Sequence, residues 1–258
     1  MRADYGLDAP PVVRNLLLAA LVGLGLWAGI AAGLWSGTAR IPIGGDELRI
    51  VLGPAGLAIG LACLGMAVSM IWSSRVGKVR ERERLLDTLT WTGSERVLDV
   101  GCGRGLMLLG AAKRLRDGRA VGVDLWRAED LAGNAPSAVW ANAAIEGVTA
   151  RVALETADMR QLPFPASSFD VVLSQTAVHN LSSAAGRQAA VEEMARVLRP
   201  GGQVLLSDIR HVDDYAAILH GQGLDVSVER SVIGRWVWGL LTFGRVLPAV
   251  ARGRRPVT

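Results

Sequence analysis

The amino-acid sequence predicts an α/β domain with a mainly parallel sheet and helices on both faces, preceded by two transmembrane helices. Three observations lead to this prediction. The N-terminal third contains two long uncharged apolar segments. From about residue 84, short apolar segments alternate with amphipathic ones, as expected of strand–helix units. The first of these strands runs directly into a glycine-rich turn. A chain of 258 residues is long enough for one such domain and a smaller part.

Two apolar segments predict transmembrane helices at about residues 16–35 and 50–72. Each provides the roughly 20 apolar residues that a helix needs to cross a bilayer. A cleaved signal peptide would have a shorter apolar core and would leave the second segment unexplained, so residues 1–74 are predicted to form a membrane anchor. Glycines spaced four residues apart would let the two helices approach closely: Gly25, Gly29, Gly33, Gly56 and Gly60.

The basic residues predict the orientation of the anchor. A basic linker at residues 75–84 follows the second helix, whereas the loop at residues 36–49 carries two arginines against two acidic residues. The positive-inside rule then places both termini and the domain at residues 85–258 in the cytoplasm, as an integral protein of a bacterial inner membrane. The formal net charge of +4 gives no indication of a nucleic-acid partner, and none is expected.

The turn at residues 97–105 reads Val-Leu-Asp-Val-Gly-Cys-Gly-Arg-Gly. Its glycines, without Cβ atoms, allow a sharp turn and let a ligand lie against backbone N–H groups. The spacing is D-x-G-x-G-x-G, which differs from the G-x-G-x-x-G that directs a helix N-terminus at a pyrophosphate. Asp99 suits a cationic ligand better than an anionic one. Cys63 and Cys102 have no spacing typical of a disulfide or a metal site.

The next elements continue the alternating pattern. A helix at residues 106–116 leads to a strand at 120–123 that ends in Asp124, where a carboxylate can accept hydrogen bonds from two ribose hydroxyls. An irregular loop follows, and Asn134 is expected to cap the helix at residues 136–146. Trp126 in this loop has two interpretations, a shield over a bound nucleoside or an apolar anchor for the loop.

The segment after the third strand, residues 151–156, is the most specific part of the sequence. Residues 158–172 contain Asp-x-x-x-Leu-Pro-Phe and then Ser-Phe-Asp-Val-Val, and residues 196–202 read Arg-Val-Leu-Arg-Pro-Gly-Gly. Together with the glycine turn, these motifs resemble class I S-adenosylmethionine (SAM) dependent methyltransferases, in the group that includes ubiquinone and menaquinone biosynthesis enzymes. The resemblance covers about residues 85–231 and implies a Rossmann-like seven-stranded sheet.

The resemblance implies SAM as cofactor and assigns residues to it. Asp99 would lie near the methionine amino group, Asp124 would bind the ribose, and Asp158 would bind the adenine amino group, with Met159 beside the ring. The implied cofactor-binding residues are Asp99, Gly101, Cys102, Gly103, Gly105, Asp124, Leu125, Asp158, Met159 and Ser174. No metal is expected, because the sequence lacks a ligand cluster.

The acceptor side is expected at residues 175–181, after the fourth strand at 169–174. His179 is a candidate general base for a hydroxyl or amine, because an imidazole titrates near neutral pH. A structural role is the alternative, since methyl transfer from a sulfonium often requires only positioning and the exclusion of water. His211 and His220 are weaker candidates.

The remaining elements complete the sheet. Ser182 or Ser183 would cap a helix ending at Leu198, followed by a fifth strand at 203–207, a helix at 213–220 and a sixth strand at 225–232. A seventh, antiparallel strand beside the fifth is assigned to residues 236–243. A third membrane helix at 232–250 is the alternative, but it would bury two arginines in hydrocarbon. Two tryptophans and the basic tail are expected at the membrane surface: Trp236, Trp238 and Arg252–Arg255.

These observations predict a membrane-anchored methyltransferase acting on a small lipophilic acceptor such as a quinone, an isoprenoid or another lipid. Its expected partners are the lipid bilayer and this small-molecule methyl acceptor. Two alternatives remain: a methyltransferase of a soluble small molecule, and a SAM-binding membrane protein without transfer activity. A nicotinamide oxidoreductase is a third interpretation, which predicts NAD binding.

Overall fold

The chain forms two compact units. The computed structural model describes residues 2–43, 46–127, 133–230 and 247–257. One unit is Leu7–Lys78, and the other combines Met1–Gly6 with Val79–Thr258. The first six residues are thus grouped with the larger unit.

The smaller unit is a pair of apolar helices. Helix α1 spans Pro10–Ala31 and α2 spans Leu52–Trp72. The connection between them, expected to be a loop, contains an antiparallel ribbon of β1, Thr38–Ile43, and β2, Asp46–Val51. Both helices are long and apolar enough to cross a membrane. Below, this unit is called the hairpin unit.

Glycines allow α1 and α2 to pack closely. A Cβ atom added at Gly23 would lie 2.7 Å from the Gly56 carbonyl oxygen and 3.0 Å from the Gly60 Cα. The expected role of Gly56 and Gly60 in this contact is therefore found. On α1, however, Gly23 makes the contact instead of Gly25, beside which nothing lies within 4 Å. The four-residue spacing on α1 alone does not identify the face that meets α2, because that face depends on the rotation of the helix.

The segment predicted as a basic linker is helical. A π-helical turn, Ser73–Gly77, follows α2, and α3 spans Lys78–Leu86. Alternating charges stabilise it, as in the Arg84–Glu81 pair, and Leu85 and Leu86 bury its apolar end.

The larger unit contains a seven-stranded sheet in the order β5-β4-β3-β6-β7-β9-β8. Strands β3 to β7 are parallel, whereas β9 is antiparallel to both of its neighbours. The strands are β3 Arg96–Val100, β4 Arg119–Asp124, β5 Val152–Thr156, β6 Phe169–Gln175, β7 Leu198–Asp208, β8 Asp225–Arg230 and β9 Ala249–Arg254. This is the expected Rossmann-like arrangement with one inserted antiparallel strand.

Helices cover both faces of this sheet, in two apolar clusters. Helices α4, Leu106–Arg114, and α5, Pro136–Glu146, contribute to one cluster. Helices α6, Ala184–Val197, and α7, Val212–Gly221, contribute to the other. Ser183 caps α6 by accepting a hydrogen bond from the Gly186 N–H. Because the five parallel strands share a direction, their carboxyl ends lie at one edge of the sheet.

The antiparallel strand has the predicted position but different residues. Strand β9 is Ala249–Arg254, paired with β7 from Gln203 to Asp208. Residues 236–243, with Trp236 and Trp238, lie outside the described part of the chain. The basic tail expected at the membrane surface forms part of this strand. Small residues fit its buried positions between two neighbours, and the arginines hid this pattern in the sequence.

Candidate cofactor and acceptor site

The glycine turn connects the end of β3 to α4. The N–H groups of Gly101 and Cys102 donate to the Val123 carbonyl oxygen at 2.8 and 3.1 Å. Gly101, Gly103 and Gly105 have φ of 72°, 53° and 87°, in the left-handed region that favours glycine. A Cβ atom on Gly101 would also lie 2.3 Å from Ala177 Cβ. Glycine at 101 is therefore required both by the backbone conformation and by the space available.

Asp99 lies beneath this turn and is almost fully buried. Its Oδ2 accepts a hydrogen bond from the Leu108 N–H at 2.8 Å, which ties β3 to the first turn of α4. Burial raises the pKa of Asp99 to about 7; the hydrogen bond from Leu108 opposes this shift, and the charge of Asp124 adds to it. A nearby cation would favour the ionised form of this carboxyl.

Asp124 is the centre of the hydrogen bonds at this edge. Its Oδ2 accepts from the Gly103 N–H at 2.9 Å, and its Oδ1 accepts from the Trp126 N–H at 2.7 Å. The same Oδ1 accepts from Asn134 Nδ2 at 3.1 Å. One carboxylate thus holds both the glycine turn and the loop that follows β4. Each carboxylate oxygen can accept further bonds, as binding of ribose hydroxyls would require.

The loop after Asp124 is fixed by Trp126 and Asn134. Trp126 has φ of 58°, an uncommon conformation for a non-glycine residue, and its Nε1 donates to Thr156 Oγ1 at 2.8 Å. These contacts support the interpretation of Trp126 as an anchor for the loop. Asn134 is not the N-cap of α5, because Ala135 occupies that position without a side-chain bond. Instead, the Asn134 side chain is buried beside Asp124.

Asp158 and Met159 follow β5 at the same edge. The Arg160 guanidinium donates two hydrogen bonds to the Asp158 carboxylate, from Nε to Oδ1 at 3.0 Å and from Nη2 to Oδ2 at 2.6 Å. The hydrogen bonds from Arg160 lower the pKa of Asp158. The Met159 Cε lies 3.5 Å from the point where a Gly101 Cβ would be. Met159 therefore lies beside the glycine turn, although it is 58 positions after Gly101 in the sequence.

Three other predicted cofactor residues have different surroundings. Ser174 is buried, and its Oγ donates to the Val100 carbonyl oxygen at 2.8 Å, so it joins β6 to β3. Leu125 is exposed and Cys102 is buried. Burial raises the pKa of the Cys102 thiol. Ser174 and Cys102 thus hold the ends of neighbouring strands together.

His179 and Asp208 form a pair where β6 and β7 end. His179 Nδ1 lies 2.6 Å from Asp208 Oδ1, and the His179 backbone N–H donates to Asp208 Oδ2 at 3.1 Å. The Asp208 side chain is 2% exposed. Its Oδ1 also accepts from the Ile209 N–H at 2.7 Å, and Tyr215 OH lies 3.5 Å from Oδ2. The Asp208 carboxylate thus lies against the Nδ1 side of the imidazole, and Nε2 is the other ring nitrogen.

The sequence prediction missed Asp208, Asn134 and Tyr215. Asp208 could have been found, because it ends a strand in the same way as Asp124 does. Asn134 stood at a plausible cap position, which concealed its bond to Asp124. Tyr215 gave no signal, because its contact with Asp208 depends on how α7 packs on the sheet.

The chemistry of these residues fits a cationic nucleoside cofactor such as SAM. The open backbone at Gly101 and the carboxyl groups of Asp99 and Asp124 suit a cationic nucleoside. The buried Asn134 Oδ1 has no hydrogen-bond partner within the described residues, and neither does the buried Gln175 Oε1. Buried acceptors of this kind are normally satisfied, so both are available to donors of a bound molecule.

Comparisons with known proteins agree with this geometry. Residues 98–206 match the family model described as "Methyltransferase domain". The 27-O-demethylrifamycin SV methyltransferase of Amycolatopsis mediterranei is 33% identical over 156 residues, which cover 58% of this chain and 50% of that protein. The nocamycin O-methyltransferase of Saccharothrix syringae is 33% identical over 169 residues, which cover 65% and 50%. The chain thus spans about half the length of these curated relatives.

A solved structure shows the same fold. Phosphoethanolamine N-methyltransferase 2 of Haemonchus contortus, solved in complex with S-adenosyl-L-methionine, matches with a TM-score of 0.55 at 17% identity. The match covers 69% of this chain and 52% of that chain. The family match and the fold therefore agree on the segment that contains the glycine turn and β3 to β7.

Proposed function

We propose that the whole protein is a membrane-anchored enzyme that uses a SAM-dependent methyltransferase domain at residues 98–206 to methylate a hydroxyl group of a small lipophilic acceptor. The observation that carries the proposal is the grouping, at one edge of one sheet, of the cofactor carboxylates with the His179–Asp208 pair. The cofactor, the acceptor and the anchor are argued separately below.

The cofactor is assigned to the ends of β3, β4 and β5. Asp99 balances the positive charge of the methionine part, Asp124 accepts from the ribose hydroxyls, and Asp158 with Met159 contacts the adenine. The glycine turn leaves room for the cofactor against backbone N–H groups. When bound, SAM supplies a methyl group activated by its sulfonium charge.

The acceptor is assigned to the ends of β6 and β7. His179 Nε2 takes the proton of an acceptor hydroxyl as its oxygen forms a bond to the methyl carbon, and S-adenosylhomocysteine (SAH) is the other product. The new imidazolium lies against Asp208, whose carboxylate stabilises the added charge. A hydroxyl benefits from this arrangement because a neutral oxygen is a weak nucleophile. The relative from Saccharothrix syringae is an O-methyltransferase by name, which supports the same acceptor atom.

The hairpin unit is assigned to the membrane because its surface is apolar. Its helices expose large apolar side chains, including Leu21 and Val22 at 70% each, and Ile59 and Val68 at more than half. Polar contacts link the two ends of the unit. The Asp8 carboxylate pairs with Lys78 at 2.7 Å, and the Asp8 backbone N–H donates to Ser74 Oγ at 3.0 Å. Both ends of the hairpin then lie on one side of the bilayer, the cytoplasmic side by the positive-inside rule. An enzyme held there meets acceptors dissolved in the bilayer, which favours a quinone, an isoprenoid or another lipid.

The test uses SAM labelled on its methyl group. Membranes containing the full-length protein, and matched membranes containing Asp124→Ala, are incubated with labelled SAM and then extracted into organic and aqueous phases. We expect label in the organic phase that depends on the wild-type protein. Release of that label as methyl iodide by hot hydriodic acid, as for an O-methyl ether, is expected as well.

Other outcomes distinguish the alternatives. Label confined to the aqueous phase would replace the lipophilic acceptor with a soluble one. Label that resists acid would contradict O-methylation. The absence of wild-type label, together with tight SAH binding by the purified protein, would favour a SAM-binding membrane protein without transfer activity.

A further inference from the structure

The first residues of the chain belong to the larger unit, the one that contains the seven-stranded sheet, although they precede the hairpin unit in sequence. This larger unit is called the methyltransferase unit below. We call Ala3–Gly6 the N-terminal strap. Tyr5 is buried in the apolar cluster formed by α4 and α5, and Ala3 packs against the same cluster. The chain continues from the strap into the hairpin unit at Leu7 and returns to the methyltransferase unit at Val79.

One end of the strap contacts the glycine turn. The Asp4 N–H donates to Asn142 Oδ1 at 2.8 Å, and Asn142 Nδ2 donates to the carbonyl oxygens of Asp4 and Arg104 at 2.9 and 3.0 Å. The Asp4 carboxylate accepts from Arg104 Nη2 at 2.8 Å. Asn142 is buried on α5. The oxygen and the NH₂ group of its side-chain amide are both hydrogen-bonded, so this amide joins the strap to the turn.

The next strap residue fixes the strap in place. Tyr5 OH donates to Glu146 Oε1 at 3.0 Å and accepts from Arg82 Nη1 at 3.0 Å. The buried Arg82 guanidinium also lies 5.5 Å from the Tyr5 ring centroid. Burial raises the pKa of Tyr5, so the hydroxyl stays protonated as a donor to Glu146. A buried aromatic residue with both hydrogen bonds satisfied is a stable attachment point.

The contacted residue lies within the cofactor-binding backbone. Arg104 lies between Gly103, whose N–H donates to Asp124, and Gly105, the N-cap residue of α4. Its Nη1 also lies 3.5 Å from the point where a Gly133 Cβ would be, so the guanidinium reaches the loop after β4. Glycines give this turn little rigidity of their own. Contacts with Arg104 from outside the turn therefore restrict the backbone that holds Asp124.

We propose that the N-terminal strap is part of the cofactor site, with Asp4 acting through Arg104 as a positioning residue for the glycine turn. The proposal rests on the proposed function, because it requires that the turn binds SAM. The strap reduces the loss of backbone freedom when the cofactor binds, since the turn is already held in its bound shape. A soluble domain made by removing the residues before Val79 would lose this part of the site.

The test measures SAH binding to purified full-length protein in detergent by isothermal titration calorimetry. Asp4→Ala is expected to weaken binding about 3- to 5-fold, the range of a partly exposed ion pair, and Asp4→Asn by less, because the amide oxygen can still accept from Arg104. Asp8→Ala is the matched control: this carboxylate is four residues away and pairs with Lys78 in the hairpin unit. It should leave SAH affinity unchanged.

Two further measurements separate positioning from general destabilisation. In an Arg104→Ala background, Asp4→Ala should have no additional effect on SAH affinity, because the contact between Asp4 and the glycine turn is already removed. In the cofactor-free protein, Asp4→Ala should speed hydrogen exchange at the amides of residues 103–106, while Asp8→Ala should not. Wild-type binding with equal affinities in the Asp4 and Asp8 variants would overturn the strap proposal alone. Failure of the wild type to bind SAH would overturn the proposed function and the strap proposal with it.

Discussion

The two halves of the site edge hold their carboxylates in different ways. On the cofactor side, Asp99 and Asp124 bind backbone N–H groups, from Leu108 on α4 and from Gly103 in the turn. On the acceptor side, Asp208 binds the imidazole of His179. Carboxylates on the first side therefore shape the main chain, whereas the carboxylate on the second side lies against the side chain that we propose as the proton acceptor. Mutations on the first side should therefore weaken cofactor binding, and mutations on the second side should slow methyl transfer.

The largest separation is expected from the acceptor side. His179→Gln should lower the rate of label transfer from SAM by at least about 100-fold, because general base catalysis contributes roughly 10² to 10⁴. Its SAH affinity should stay within about twofold of the wild type, since His179 contacts none of the cofactor carboxylates. Label transfer in membranes and SAH titration of the purified protein measure the two quantities.

Asp208→Asn sharpens the same comparison. The amide would present N–H groups where the carboxylate now accepts hydrogen bonds from His179 and Ile209, so we expect a comparable loss of transfer. If the His179→Gln or the Asp208→Asn protein transferred the label at the wild-type rate, His179 would have only a structural role. Catalysis would then come from the positioning of SAM and the acceptor.

A smaller effect, on binding, is expected from the cofactor side. Asp124→Ala should weaken SAH binding by about 1 to 3 kcal/mol, the scale of lost hydrogen bonds to a charged group. It removes the acceptor for Gly103, Trp126 and Asn134 together, so the turn and the following loop both lose a support. Titration of purified protein measures the loss. The wild-type affinity in this variant would contradict the assignment of Asp124 to the ribose.

The same division explains how far the sequence could predict the molecule. The cofactor side follows local order: a strand, a glycine turn and a strand-end acid lie within 28 residues, from Val97 to Asp124. The partner of His179 is Asp208 on β7, which is contacted in turn by Tyr215 on α7, and no local pattern connects these residues to His179. Asn134 and Asp4 were missed for the same reason, because their roles depend on contacts with Asp124 and Arg104. The antiparallel strand was placed correctly but assigned to the wrong residues, since apolar content favoured 236–243 over the arginine-containing Ala249–Arg254.

A further prediction on the cofactor side concerns pH and the buried carboxyl of Asp99. Its pKa of about 7 means that the carboxyl is mostly protonated at pH 6 and mostly ionised at pH 8. A cationic cofactor favours the ionised form, so SAM affinity should rise with pH through this window. Asp99→Asn stays neutral, and its amide oxygen can still accept from Leu108. The ratio of variant to wild-type Kd for SAM should therefore increase up to about tenfold from pH 6 to pH 8.

Using this ratio cancels the titration of the amino group of SAM, because wild type and variant bind the same ligand. Stability without ligand provides an independent check with the opposite sign. Since folding raises the pKa of Asp99 from 3.8 to about 7, the wild type loses stability relative to Asp99→Asn as pH rises from about 4 to about 7. Thermal unfolding followed by tryptophan fluorescence measures this difference. A constant Kd ratio with the expected change in stability would mean that the carboxyl is buried as described but that the cofactor charge lies elsewhere, which would move the cationic part of the ligand away from Asp99.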